Sequence, residues 1–126
     1  MQMPLVYEID AGKRLVRSRA LGVLIGGGLL EHDRALAADS AFDPAFAQLG
    51  DLRDVRWFVV DRETMQAAAT AHAFSVAARR ALVAGTAVTI ELCQIVAAYR
   101  VVAPPNIRVF RTLEEAGRWL ETSSTI

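Results

Sequence analysis

An α/β domain on a mixed, mainly parallel sheet is the fold class this sequence predicts. Three observations carry the prediction. Two short strand patterns flank a tight turn at the start of the chain. Strand and helix patterns then alternate to its end, which favours parallel strands joined by crossover helices. No long linker, repeat or low-complexity stretch interrupts them, so 126 residues fit one domain with a core of its own.

The elements follow in order. Residues 5–9 alternate weakly as a strand, and residues 10–13 make a turn in which Gly12 can take positive φ. Residues 15–21 form the second strand. Leu15, Arg17 and Arg19 share one face, and Val16, Ser18 and Ala20 share the other. This hairpin is expected at a sheet edge, where arginines discourage further pairing. Residues 22–28 are glycine-rich, and a helix is expected from Leu29 to about Ala38. Its stripe holds Leu29, Leu30, Leu36 and Ala37, while Glu31, Asp33 and Arg34 face water. Asp43 caps a short turn begun by Pro44, and Phe42 and Phe46 plug the base of the sheet.

The stretch Ala47–Val60, AQLGDLRDVRWFVV, is expected to organise the chain. Its strand should end near residues 49–52, with a polar turn at 50–54 and a loop at 53–57. A helix should start near Asp61, with Glu63 in its first turn and Met65, Ala68, Ala69, His72 and Ala73 on one face, and end at Phe74 and Ser75. Residues 79–84 form a strand closed by Gly85. Thr86 caps a helix to Tyr99, with Val88, Leu92, Ile95 and Val96 buried, and Pro104 and Pro105 stop it. Residues 107–110 form the last strand. Thr112 and Glu115 then make a capping box for a helix facing the core with Leu113, Ala116, Trp119 and Leu120.

Composition narrows the function classes. Hydrophobic residues are 53% and formal net charge is zero, with arginines scattered rather than striped. No nucleic-acid partner is expected from that pattern. Cys93 is the only cysteine, and the N-terminus lacks the basic-then-apolar order of a signal peptide. A reducing, cytoplasmic setting is expected. The apolar run 20–30 is about half of a bilayer span and carries Gly22, Gly26, Gly27 and Gly28, so no membrane span is expected.

The candidate sites each have a plainer reading. Asp51 and Asp54 could form an acidic pair for a metal or acid–base work, but loop architecture with Arg53 or Arg56 as ion partner explains them better. Gly26–Gly28 could cradle a phosphate but lacks the Lys-Ser/Thr of a P-loop, and a flexible lead into the helix is preferred. His32 and His72 stand alone; His32 is expected at the surface, His72 on a helix face. Cys93 reads as core. Thr64, Ser75 and Thr86 are hydroxyls near helix ends, open to phosphorylation and equally explained by position. Trp57 and Phe58 either line a groove or lid the core, and core is the preferred reading. No cofactor is expected.

The phrases YEID…KRLVRSRALG, DSAFDPAFAQLGDLRDV and IRVFRTLEEAGRWL, with the order of elements, resemble the SpoIIAA-like proteins of the STAS fold. That is the fold of anti-sigma-factor antagonists. The resemblance implies a single such domain over residues 1–126. In those antagonists a serine after a conserved-motif Asp is phosphorylated by a partner kinase. Asp61 aligns with that Asp, but Arg62 follows instead of serine, and Thr64 lies inside the helix.

The reading that results is a non-enzymatic cytoplasmic regulatory or interaction domain lacking the phosphorylatable serine. Its partner is a protein, kinase-like by resemblance, met through Asp54, Arg56, Trp57, Asp61, Arg62 and Thr64. A second copy of the chain is a further candidate partner. The alternative is a small-molecule or lipid-binding domain, with a small apolar ligand between the helix around residues 65–73 and the sheet. An enzyme using Asp51 and Asp54 is the weakest option.

Overall fold

The computed structural model of the chain describes residues 5–59, 63, 73–75, 77–87, 90 and 106–121, apart from the side chain of residue 58. Five strands are described: β1 (Leu5–Asp10), β2 (Leu15–Ile25), β3 (Ala47–Val59), β4 (Arg80–Val83) and β5 (Ile107–Phe110). They form one sheet in sequence order. β1 and β2 pair antiparallel, and every later pair is parallel. Two helices are described, α1 (Gly26–Ala38) and α2 (Leu113–Glu121). This is the mixed, mainly parallel α/β sheet that the sequence predicts.

The hairpin forms, but only β1 lies at the edge. β2 pairs with β3 along its whole length, so Arg17 and Arg19 sit on an inner strand. Their outward face explains why they do not prevent pairing: arginine side chains stand off a sheet's face, not along its edge. Positive φ in the turn falls on Arg14, at 54°, and not on Gly12.

β2 and β3 are both longer than their patterns suggest. β2 continues through Gly22 to Ile25, and β3 is one strand of 13 residues with no turn at 50–54 and no loop at 53–57. Two irregularities in the register absorb the difference. Arg19 and Leu21 pair with Asp51 and Asp54, and Gly22 and Val23 pair with Val55 and Trp57. β3 therefore carries an extra residue at each place, as in β-bulges, which bend a strand and re-aim its side chains. Gly22 sits at the second bulge with φ +67°, a conformation only glycine takes at no cost. Gly50 serves close packing: a Cβ there would meet Leu82 Cδ2 at 2.9 Å.

The core falls on both sides of the sheet. On one side Leu36 of α1 packs with Val16, Phe46 and Phe74, and Leu29 with Leu24, Ala20 and Val55. Phe42 stands edge-on to Phe46 and Phe74, plugging the base as expected. On the other side Ala116, Trp119 and Leu120 of α2 cover Ala81 and Val83. Burying one such Leu or Val side chain is worth roughly 1.5–3 kcal/mol.

Local signals near the ends of the elements hold. Asp43 Oδ1 accepts from the Ala45 N–H at 2.9 Å. Thr112 Oγ1 accepts from the Glu115 N–H at 3.1 Å and donates to Glu115 Oε1 at 3.2 Å, which starts α2. At the far end of α2, the Arg79 guanidinium donates to the Trp119 carbonyl at 2.9 Å and lies 4.8 Å from its ring. A cation there complements the helix dipole. α1 starts at Gly26 rather than Leu29, so Gly26–Gly28 are its first turn and not a loop. Its inward stripe is Leu29, His32 and Leu36, and Ala37 faces solvent.

Candidate functional site

Beyond the β4 pairing, which ends at Asp51 with Val83, β2 and β3 run on together as a two-stranded parallel ribbon. Alternation splits its side chains between two faces. Leu24 and Val55 point toward α1 and are buried, Leu24 to 1% exposure. Val23 and Ile25 point the other way, beside Trp57 and Val59, their partners across the strands. Val23 is 48% exposed, Ile25 54%, Trp57 64% and Val59 57%. Leu21 continues the same face at 39%. Parallel strands are ordinarily covered on both faces. This ribbon is apolar on both and, among the described residues, covered on one.

Charged groups border that face. Arg19 donates to Asp54 Oδ2 at 2.7 Å. Arg53 donates to both oxygens of Asp51, at 2.9 and 3.0 Å, and its backbone N–H also reaches Asp51 Oδ1 at 3.1 Å. The side-chain hydrogen bonds from Arg53 hold the Asp51 carboxyl below the usual range, and Asp51 in turn raises Arg53. The two aspartates thus take separate arginines and form no acidic pair. Arg56, at the second bulge, is exposed and in no ion pair among the described residues. A hollow of about 670 Å³ lies here, between Arg19, Leu21, Arg53, Asp54, Arg56 and Thr86.

A second concavity, a groove of about 350 Å³, lies on the sheet beside α2. Val6, Leu49 and Leu113 give it apolar walls, and Arg17, Arg19 and Asp51 its polar ones. Arg17 is 3.6 Å from Glu8 across the hairpin.

A polar seam crosses the interior from α1 to β4. Arg80 Nε donates to Gln48 Oε1 at 2.8 Å, and Gln48 Nε2 donates to Ser18 Oγ at 3.0 Å. Ser18 Oγ is 2.8 Å from His32 Nε2. The other ring nitrogen, His32 Nδ1, is 3.8 Å from Asp33 Oδ1. Tyr7 packs edge-on against the ring and donates to Asp39 Oδ2 at 2.9 Å. Burial, then the Asp39 bond, raises its pKa above the ordinary tyrosine range. His32 is therefore a buried core residue, not a surface one; a helical stripe shared with Leu29 and Leu36 carries it inward. With Ser18 and His32 only 5% and 6% exposed, the pair ties α1 to the sheet rather than facing solvent.

Of the residues expected to meet a partner, Asp54, Arg56 and Trp57 come together on the ribbon. Asp61, Arg62 and Thr64 lie outside the described residues, as do His72 and Cys93. Trp57 is open to solvent, which corrects the preferred reading of it as core. The Phe58 side chain is outside the described set. Ser75 is spent on a turn, accepting from the Ala77 N–H at 3.3 Å. Thr86 opens a turn in which its carbonyl accepts from the Ile90 N–H at 2.9 Å; the expected helix beyond it lies outside the described residues. Val23, Ile25 and Val59 were not expected at the surface. The signal for them was present, since VLI and WFVV are unbroken apolar runs of the kind used by strands with two apolar faces.

Among the described residues no three His, Cys, Asp or Glu side chains gather as metal ligands. No described helix is long and apolar enough to cross a membrane. No family profile matches the sequence, and no curated protein matches it. The structure is similar to that of an uncharacterised protein of the DUF3478 family from Shewanella loihica PV-4, which has a SpoIIAA-like fold. The two share 14% identity, with 92% of this chain and 93% of that chain covered and a TM-score of 0.57. The chain thus has the SpoIIAA-like fold.

Proposed function

We propose that this chain is a non-enzymatic regulatory or protein-interaction domain that meets a partner protein through the outward face of its ribbon. One observation carries the reading: the largest exposed apolar side chains of β2 and β3 gather on one face, against the rule for parallel strands. Trp57 is the natural anchor, since tryptophan dominates the buried centres of interfaces. Arg53, Arg56 and Asp54 supply a polar rim that sets orientation. The resemblance to anti-sigma-factor antagonists supports a role in binding, and Arg62 in place of the motif serine supports one without their phosphoswitch. The lone Cys93 fits a reducing, cytoplasmic setting.

A photoreactive amino acid at position 57, activated in cells, tests this reading. The expected product is a cross-link to protein. Cross-linking confined to small molecules or lipid contradicts it.

The groove beside α2 favours a second reading, a small-molecule or lipid-binding domain. Native mass spectrometry of protein purified directly from its cells separates the two. A bound small molecule supports the carrier; a protein assembly without adducts supports the interaction domain.

A further inference from the structure

We infer that the hollow between Arg19, Arg53, Arg56 and Thr86 binds a small molecule that carries a phosphate group. The inference stands apart from whatever meets the apolar face of the ribbon.

The backbone brings the cations together. In a regular strand, positions three apart point to opposite faces. Arg53 and Arg56 are three apart on β3, yet both border the same hollow. The two register irregularities, at 51–54 and 55–57, account for this, because a bulge re-aims the side chains around it. Arg19 reaches the hollow from β2, and Thr86 walls it beyond the carboxyl end of β4. Gly85 sets that wall against β3: a Cβ there would lie 3.4 Å from the Arg53 carbonyl oxygen. Bulges are over-represented next to active sites, and ligands of open α/β sheets sit beyond the carboxyl ends of the strands.

The charge calls for an anion. Among the described residues, Asp54 is the one carboxylate on the wall, and its Oδ2 takes Nη2 of Arg19 at 2.7 Å. Asp51, outside the hollow, takes Nε and Nη2 of Arg53 at 2.9 and 3.0 Å. These bonds hold two guanidiniums in place and use only some of the five N–H donors on each. Arg56 is exposed and in no ion pair among the described residues. Three cations against two carboxylates leave a positive surplus here, on a chain whose formal net charge is zero.

The number of donors selects phosphate. A carboxylate offers two oxygens and a single charge. A phosphate monoester offers three oxygens and a charge of about −1.5 to −2. Arginine grips such oxygens in pairs, so three guanidiniums around one hollow suit the phosphate better. At about 670 Å³ the hollow exceeds one phosphate and falls in the range of small-molecule sites. The ligand is therefore a phosphate on an organic body rather than the bare ion.

Titration of the isotope-labelled full chain with pyrophosphate, followed by NMR at constant ionic strength, tests the inference. Saturable shifts are expected in the amides of residues 19–22 and 53–56. Arg56→Gln should weaken binding about tenfold or more, and Arg56→Lys should restore part of it. Arg34→Gln, at an exposed arginine of α1, should bind as wild type does. The amide spectrum of each variant shows whether it is folded. The inference is overturned by an absence of saturable shifts, by shifts confined to other residues, or by an equal loss in Arg34→Gln. Citrate binding as tightly as pyrophosphate overturns it too. Where the site holds, glycerol phosphate and vesicles of phosphatidylcholine with phosphatidic acid identify the source. Binding of glycerol phosphate supports a soluble ligand, and binding of the vesicles alone supports a lipid headgroup.

Discussion

β2 and β3 run side by side throughout, yet their two halves are built in opposite senses. In the first half the inward face is partly polar: Ser18 and Gln48 lie beside Val16 and Ala20, hydrogen-bonded in the seam from Arg80 to His32. In the second half the outward face is apolar and bare, with Val23, Ile25, Trp57 and Val59. Ser18, Gln48 and His32 are tolerated there because each has a hydrogen-bond partner within the fold. Exposed apolar groups have no such explanation inside the described structure. The first half accounts for folding, and the second points to a contact.

Substitutions at the two halves sharpen that contrast. The largest loss is expected where α1 packs on the first half. Leu36→Ala should cost about 2–5 kcal/mol, because the cavity beside Val16 and Phe46 cannot close fully. Urea unfolding measures it. Next comes the seam. Ser18→Ala leaves Gln48 Nε2 and His32 Nε2 without their shared partner, for a loss of about 1–3 kcal/mol. A change near zero there would mean that water replaces the hydroxyl and the seam is not dry.

Smaller effects bound the comparison. Thr112→Ala should cost about 1 kcal/mol by uncapping α2, far from either half, and Thr112→Ser should restore most of it. The smallest effect is a dependence on pH. The folded carboxyl of Asp51 titrates below its unfolded value, so the Arg53 bonds stabilise above the ordinary carboxyl range near pH 3.9. That contribution disappears as pH falls through the lower folded value. Wild type and Asp51→Asn should differ at neutral pH and converge in acid, and added salt should shrink the difference. A difference that persists in acid would assign Asp51 a role beyond ion pairing.

Much of the fold was legible in the sequence. Alternation placed Val16, Ser18 and Ala20 together on one face, which is the buried one, and the Thr112–Glu115 spacing marked the start of α2. The strand Ile107–Phe110 follows from its short apolar run before a cap. The ends of β2 and β3 were not legible for two physical reasons. Gly22 and the polar run Asp51–Arg56 look like turn chemistry, but bulges let a strand carry both. Charged side chains within a strand also hide their partners: Arg19 with Asp54 is set by register, 35 positions apart, and no local pattern shows it. His32 was misread for a related reason. A single histidine on a helix gives no sign of inwardness until the stripe is fixed by the strand beneath it.

The most direct test compares the two faces of the ribbon formed by β2 and β3. Leu24→Ala is measured against the double variant Val23→Thr with Trp57→Thr, which keeps β-branched residues in the strands. Leu24 is buried under α1 and should lose about 2–5 kcal/mol. The double variant removes more apolar surface yet should lose less than about 1 kcal/mol, as for exposed positions. A loss equal to that of Leu24→Ala would contradict the account, because the outer face of the ribbon would then belong to the chain's own core.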